Sequence, residues 1–109
     1  MLEKNDYIKE IIEQTEIVAK TGSWELDLIT NKLYWSKGVF HILEIEPSDS
    51  ELNISMGLEV IHPDDRELAL QKITQAIEKG TQYRIKKRFL TPNSKIKHII
   101  SSAEVVYDE

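Results

Sequence analysis

From Pro63 to Lys79 the apolar residues Ala69, Leu70, Ile73, Ala76 and Ile77 recur at three- and four-residue intervals, the period of one helix face. Gly80 follows where such a helix stops, and Lys79 sits in its last turn against the negative end of the dipole. No other segment specifies so long a helix. Its start is written into Ile61-His62-Pro63-Asp64-Asp65-Arg66. Proline suits the first helical position because its missing N–H would have had no partner there, which makes His62 the N-cap. Asp64 and Asp65 then fall in the first turn, where negative charge meets the positive end of the dipole. Asp65, at the third position, is placed to reach back to the His62 N–H in the manner of a capping box.

The same six residues invite a chemical reading, since a histidine just ahead of two carboxylates can ligate a metal or pair an acid with a base. A metal site needs more ligands. Only His41 and His98 remain as imidazoles, neither at helpful spacing, and there is no cysteine. Hydrolysis through His62 with Asp64 or Asp65 lacks a nucleophile. Capping accounts for every residue type in the stretch, so no catalytic residue and no metal ligand is assigned.

Around this helix the chain alternates between the two regular periods. Asp6 to Lys20 places Ile8, Ile11, Ile12, Thr15 and Val18 on one helix face, with Asp6 as a candidate N-cap and Gly22 as the stop. Ser23 to Ile29 alternates Trp24, Leu26 and Leu28 with polar residues, which predicts a strand with one apolar face. Thr30-Asn31-Lys32 separates it from Leu33-Tyr34-Trp35, and asparagine tolerates the left-handed backbone of a tight hairpin. Ser36 is a candidate cap for a short helix carrying Val39, Phe40 and Leu43, which Pro47 would end. Ser48 to Asn53 reads as an acidic loop, and Ile54 to Ile61 as one or two buried helical turns. After the long helix, Gln82 to Leu90 and Lys95 to Tyr107 form a second hairpin across Thr91-Pro92-Asn93-Ser94. The order predicts an α+β fold with helices laid on an antiparallel sheet.

Composition narrows the function classes. The 109 residues suffice for one hydrophobic core. A net charge of −5 disfavours nonspecific binding to nucleic acid, which needs a concentrated positive field. The basic run Arg84, Lys86, Lys87, Arg88 is the local exception, and it reads as the solvated outer face of a strand. Apolar runs are too short for direct membrane insertion, and the charged first ten residues are not a secretory signal, so a cytoplasmic location is expected whether or not a parent protein is tethered to a membrane. The lack of cysteine rules out disulfides, thiolate metal sites and cysteinyl adducts.

Four motifs in order then carry a resemblance: Gly22-Ser23-Trp24-Glu25-Leu26-Asp27-Leu28, Leu33-Tyr34-Trp35-Ser36, the helix ending Ile42-Leu43 ahead of Pro47, and His62-Pro63-Asp64-Asp65-Arg66. Together they resemble PAS sensory domains, in the subgroup common in bacterial signalling proteins, from about Ile17 to Glu109. The resemblance implies an N-terminal amphipathic helix over 1–21 and a PAS-like domain over 22–109. It implies a five-stranded antiparallel sheet whose helices enclose a core on one face. Family members usually add a last strand in the middle of that sheet after the position of Val105 to Glu109. The resemblance therefore implies a C-terminally truncated domain whose neighbouring strand edges are covered by another chain or poorly ordered. Where the family prefers aspartate and glycine, the second hairpin carries Asn93 and Ser94, and asparagine is expected to take the positive-φ position.

Around the family's internal cavity the resemblance places Phe40, Leu43, Ile61, Ile73 and Ile77, as filled core before ligand contact. Trp24 and Trp35 read as packing residues before stacking platforms. Lys87 and His98 fall on strand faces that the sequence does not orient, and either one pointing inward would call for an anionic ligand. No cofactor is expected: flavin photochemistry in relatives needs a cysteine, and haem-binding relatives need an axial histidine that neither His41 nor His98 supplies convincingly. The chain is therefore expected to be a non-enzymatic sensor or relay domain of a larger protein, such as a sensor histidine kinase of a two-component system or a cyclic dinucleotide enzyme. Its partners would be a second copy, held through Ile8, Ile11, Ile12, Thr15 and Val18 or through sheet edges, and an output domain in the same chain. The alternative is a ligand-free structural dimerisation module of the same fold.

Overall fold

The computed structural model of the chain describes residues 4–48 and 51–106. Asp49 and Ser50 of the acidic stretch, and Tyr107 at the end of the last apolar run, lie outside the described residues. The elements run α1 (Lys4–Ala19), β1 (Trp24–Leu26), β2 (Lys32–Trp35), α2 (Lys37–Leu43), β3 (Leu52–Asn53), α3 (Ile54–Glu59), α4 (Pro63–Lys79), β4 (Tyr83–Leu90) and β5 (Ile96–Ala103). Helix and antiparallel sheet are mixed as the α+β reading requires. Among the described residues the strands form two sheets, ordered β1-β2-β3 and β4-β5. The backbone divides into two compact units, Met1–Ile54 and Ser55–Glu109.

In the first unit β1 and β2 pair antiparallel with Trp24 opposite Trp35 and Leu26 opposite Leu33. The first strand is shorter than its alternation predicts because Asp27 turns the chain: its Oδ1 accepts the N–H groups of Ile29 (2.9 Å) and Thr30 (3.2 Å). Leu28 and Ile29 are consequently exposed. Asn31 takes a positive φ of 61°, as the hairpin reading expects. The loop assigned to Ser48–Asn53 contains β3, which adds Leu52 opposite Leu33. Leu33, Val39, Phe40 and Leu43 are buried, and the Trp35 ring meets Phe40 edge-on at 5.5 Å.

Helix ends in this unit differ from expectation in an instructive way. Helix α1 begins before Asp6, which lies in its first turn and does not cap it. It stops at Lys20, with a φ of 57°, while Thr21 donates back to the Glu16 carbonyl at 2.9 Å. Gly22 is needed for closeness instead: a Cβ there would lie 2.5 Å from the Val39 nitrogen, and one on Gly38 would lie 2.1 Å from the Thr21 carbonyl oxygen. Two glycines thus let the end of α1 and the start of α2 touch backbone to backbone. Ser36 occupies the N-cap of α2 without a capping bond. Helix α2 ends at Glu44, at φ 60°, ahead of Pro47.

In the second unit α4 spans its expected range, with Gly80 left-handed at φ 63°. The hairpin β4-β5 is in register from Tyr83 opposite Ala103 to Leu90 opposite Ile96. In its turn Ser94, not Asn93, takes the positive φ of 67°. The Asn93 side chain is occupied by the Thr91 hydroxyl, and Thr91 Oγ1 accepts the Lys95 N–H at 2.9 Å. Ile61, Ala69 and Ile85 form a buried cluster, joined by Leu58, Tyr83 and Phe89.

Candidate functional site

The segment Ile61 to Arg66 proves to be a junction. His62 caps α4 through Nδ1, which accepts the Asp64 N–H at 3.2 Å, and Pro63 opens the helix. The His62 N–H does not meet Asp65; it donates to the Arg88 carbonyl of β4 at 2.8 Å, while Leu90 N–H donates to Val60 at 2.8 Å. Ile61 therefore bridges to Phe89 like a short extra strand. Freed from the cap, Asp65 reaches β4. Its Oδ2 accepts the Arg88 backbone N–H at 2.8 Å and Nε at 3.0 Å, and its Oδ1 accepts the second guanidinium nitrogen at 2.9 Å. The guanidinium of Arg88 holds the Asp65 carboxyl at about 2, well below its ordinary value of 3.8. Arg66 ties off α3 by donating to the carbonyls of Ile61 and Glu59, both at 3.0 Å. The polar side chains of the segment are thus spent on structure: His62 caps α4, Arg66 ties off α3, and Asp65 holds the helix to β4. Among the described residues no group of three His, Cys, Asp or Glu has metal-holding geometry.

On α1 all five stripe residues are exposed, Ile11 at 63% and Val18 at 84%. The helix is held to its own unit by its acidic side. Glu13 Oε2 accepts from Lys37 Nζ at 3.2 Å, and Glu16 Oε2 accepts from the Ser36 hydroxyl at 2.8 Å. Ser36 Oγ in turn accepts the Ser23 N–H at 2.8 Å, so one hydroxyl joins α1, the β1 approach and α2. Sequence reasoning assigned Ser36 to a cap and missed Glu13, Glu16 and Gly38. A glycine one residue inside a short helix was the signal available.

The residues expected around a ligand fall in both units. In the first, Leu43 is fully buried, and Phe40 is buried and also lines an open cleft of about 350 Å³ with Leu33, Tyr34 and Leu52. In the second, Ile61 is buried, Ile73 is half-buried and Ile77 is exposed. The strand register orients the remaining two. Lys87 stands opposite Ile99, on the face of β4 that carries Ile85 and Phe89, and burial pushes its amine below the usual lysine range. His98 stands opposite Arg88 on the other face and is exposed. The basic run is therefore not one solvated face: Arg84 and Lys86 are exposed, Arg88 is paired with Asp65, and Lys87 is turned the other way.

The family model that matches, described as PAS fold, covers residues 32–109, more than half of the chain. The chain belongs to the PAS fold family. That match takes in β2, α2, the Ile61–Arg66 junction and both strands of the long hairpin of this PAS chain. The PAS chain is also similar to the crystal structure of the PAS domain of a GGDEF family protein from Chromobacterium violaceum ATCC 12472. The two share 18% identity over 80% of this chain and 81% of that one, with a TM-score of 0.48. No curated protein matches it. No helix among the described residues of this PAS chain is long and apolar enough to cross a membrane.

Proposed function

We infer that this PAS chain is a signal-sensing or relay domain of a larger bacterial signalling protein, with no chemistry of its own. The output, a histidine kinase or a cyclic dinucleotide enzyme, resides elsewhere in the same polypeptide. The observation that carries this reading is the exposure of the whole α1 stripe while the acidic side of the helix is fastened to α2. An apolar stripe left in water on an anchored helix favours a second copy as its cover. Dimerisation through Ile8, Ile11, Ile12, Thr15 and Val18 would carry a change in the domain to whatever is joined to it.

Sedimentation of the wild type and of the double variant Ile11→Glu, Ile12→Glu tests the reading. The wild type is expected to show a concentration-dependent dimer and the variant a monomer with unchanged circular dichroism. An unchanged dimer fraction in the variant would sink the interface. A ligand-free dimerisation module makes the same prediction here, and native mass spectrometry after gentle purification separates the two by the presence or absence of a retained small molecule.

A further inference from the structure

The hairpin β4-β5 has two faces of different character. One carries Arg84, Lys86 and His98 in water, together with exposed Ile96 and Ile100. The other carries Tyr83, Ile85, Lys87 and Phe89 from β4, paired with Ala103, Ser101, Ile99 and Lys97 from β5. This second face is the inner one, because Ile85 is buried in the cluster with Ile61 and Ala69, and Tyr83 and Phe89 pack against that cluster. A lysine at the position between Ile85 and Phe89 is out of place on such a face.

Lysine usually escapes this situation by running its stem along apolar surface and keeping its ammonium in water or against a carboxylate. Lys86, one residue earlier, is exposed and has the first option. Lys87 is half-buried, and among the described residues its ammonium makes no hydrogen bond and no ion pair. Its ammonium lies 5.6 Å from the centre of the Phe89 ring. A ring face attracts the charge but cannot accept from three N–H donors. The lowered basicity of the amine agrees with that setting. Ser101, buried diagonally across from Lys87 beside Ile99, adds a hydroxyl to the same face.

We propose that Lys87 is the anion-binding residue for a small organic monocarboxylate seated on the inner face of β4-β5, with its apolar body against the half-buried Phe89 and Ile99. Lys97, opposite Phe89 on the same face, has an interaction of its own, so Lys87 brings the one ammonium without a carboxylate. One ammonium matches one carboxylate, and the apolar flanks favour a branched or aromatic acid over a polyanion. The assignment rests on the ligand-sensing branch of the function proposed above and names the class of ligand for it.

The test is thermal unfolding at pH 7 with benzoate and 4-methylpentanoate, and with benzamide as the uncharged counterpart. The proteins are the wild type, Lys87→Met, Lys87→Gln and the outer-face control Lys86→Met. With a carboxylate at ten times its Kd, the wild type and Lys86→Met are expected to gain about 5 °C or more, and both Lys87 variants less than about 1 °C. Without ligand, Lys87→Met is expected to melt above the wild type, because it no longer buries an unpaired charge. An equal gain in the Lys87 variants overturns the assignment of the residue. An equal gain with benzamide overturns the anion while leaving ligand sensing intact. If neither acid nor amide shifts any of the proteins, the anion site is refuted and native mass spectrometry alone decides whether ligand sensing survives.

Discussion

Asp65, in the first turn of α4, holds Arg88 of β4 by both its guanidinium and its backbone N–H, across 23 positions of sequence. A single carboxylate thereby fixes where the longest helix meets the strand that carries Lys87. The same strand segment takes the His62 N–H on the Arg88 carbonyl, so helix start and strand are stitched in both directions.

Replacing Asp65 with asparagine removes the charge and at least one of these bonds while keeping the shape. The Tm is expected to fall by about 5 °C, with far-UV circular dichroism at 20 °C unchanged. A Tm equal to the wild type would show that the contact holds nothing that the backbone pairing does not already hold.

The acid response follows from the same residue. Its folded value of about 2 lies below the ordinary 3.8, so over that window the folded chain binds fewer protons than the unfolded one. Its contribution is complete above pH 3.8 and is lost as pH falls through 2. Urea denaturation from about pH 6 to pH 2 should show the stability gap between wild type and Asp65→Asn constant at the upper end and shrinking below about pH 4. A gap that widens on acidification would contradict the pairing.

Gly38 tests the backbone contact between α1 and α2. A Cβ at that position would sit 2.1 Å from the Thr21 carbonyl oxygen, a backbone atom that cannot swing aside. Gly38→Ala is expected to cost on the order of 3 kcal/mol in urea, despite the better helix propensity of alanine. A neutral result would mean that the two elements separate without penalty.

Leu43 is the most enclosed side chain of the first unit. Leu43→Ala is expected to cost about 3 kcal/mol through lost burial and the cavity left behind. A loss below about 1 kcal/mol would indicate that the surrounding residues collapse into the space.

The turn of the long hairpin offers a stabilising change. Ser94 holds a φ of 67°, which disfavours any side chain with a Cβ. Ser94→Gly is expected to gain a few tenths to about 1 kcal/mol, and Ser94→Val to lose stability. The opposite order would place the positive φ elsewhere in the turn.

What the sequence disclosed was whatever repeats locally. The period of Ala69, Ile73 and Ala76 is a property of neighbours, as is the cap formed by His62 and Pro63, and both are present in the structure. The long hairpin and the left-handed Asn31 were legible for the same reason. Contacts between distant positions were not. Asp65 satisfies a capping-box pattern, yet a guanidinium 23 residues away is a stronger partner than a nearby N–H that already has a carbonyl. Ser36 likewise looks like a cap until Glu16 and Ser23 compete for its hydroxyl. Of the candidate site, the α1 stripe could be read from its spacing. The opposite orientations of Lys87 and His98 could not, because a strand's register is set by its partner and a shift of one residue would have exchanged their faces.

The fastening of α1 has a mechanical corollary. Its ties lie at Glu13, at Glu16 and at the turn beyond, so the helix is a lever pinned near one end. The nine residues from Glu13 back to Lys4 span about 14 Å at 1.5 Å each. A tilt of about 5° about that tie therefore sweeps the Lys4 end through about 1 Å, a displacement comparable to a small shift of one helix past another. The bare glycine backbone at the end of the helix and the length of the free arm together set that gain.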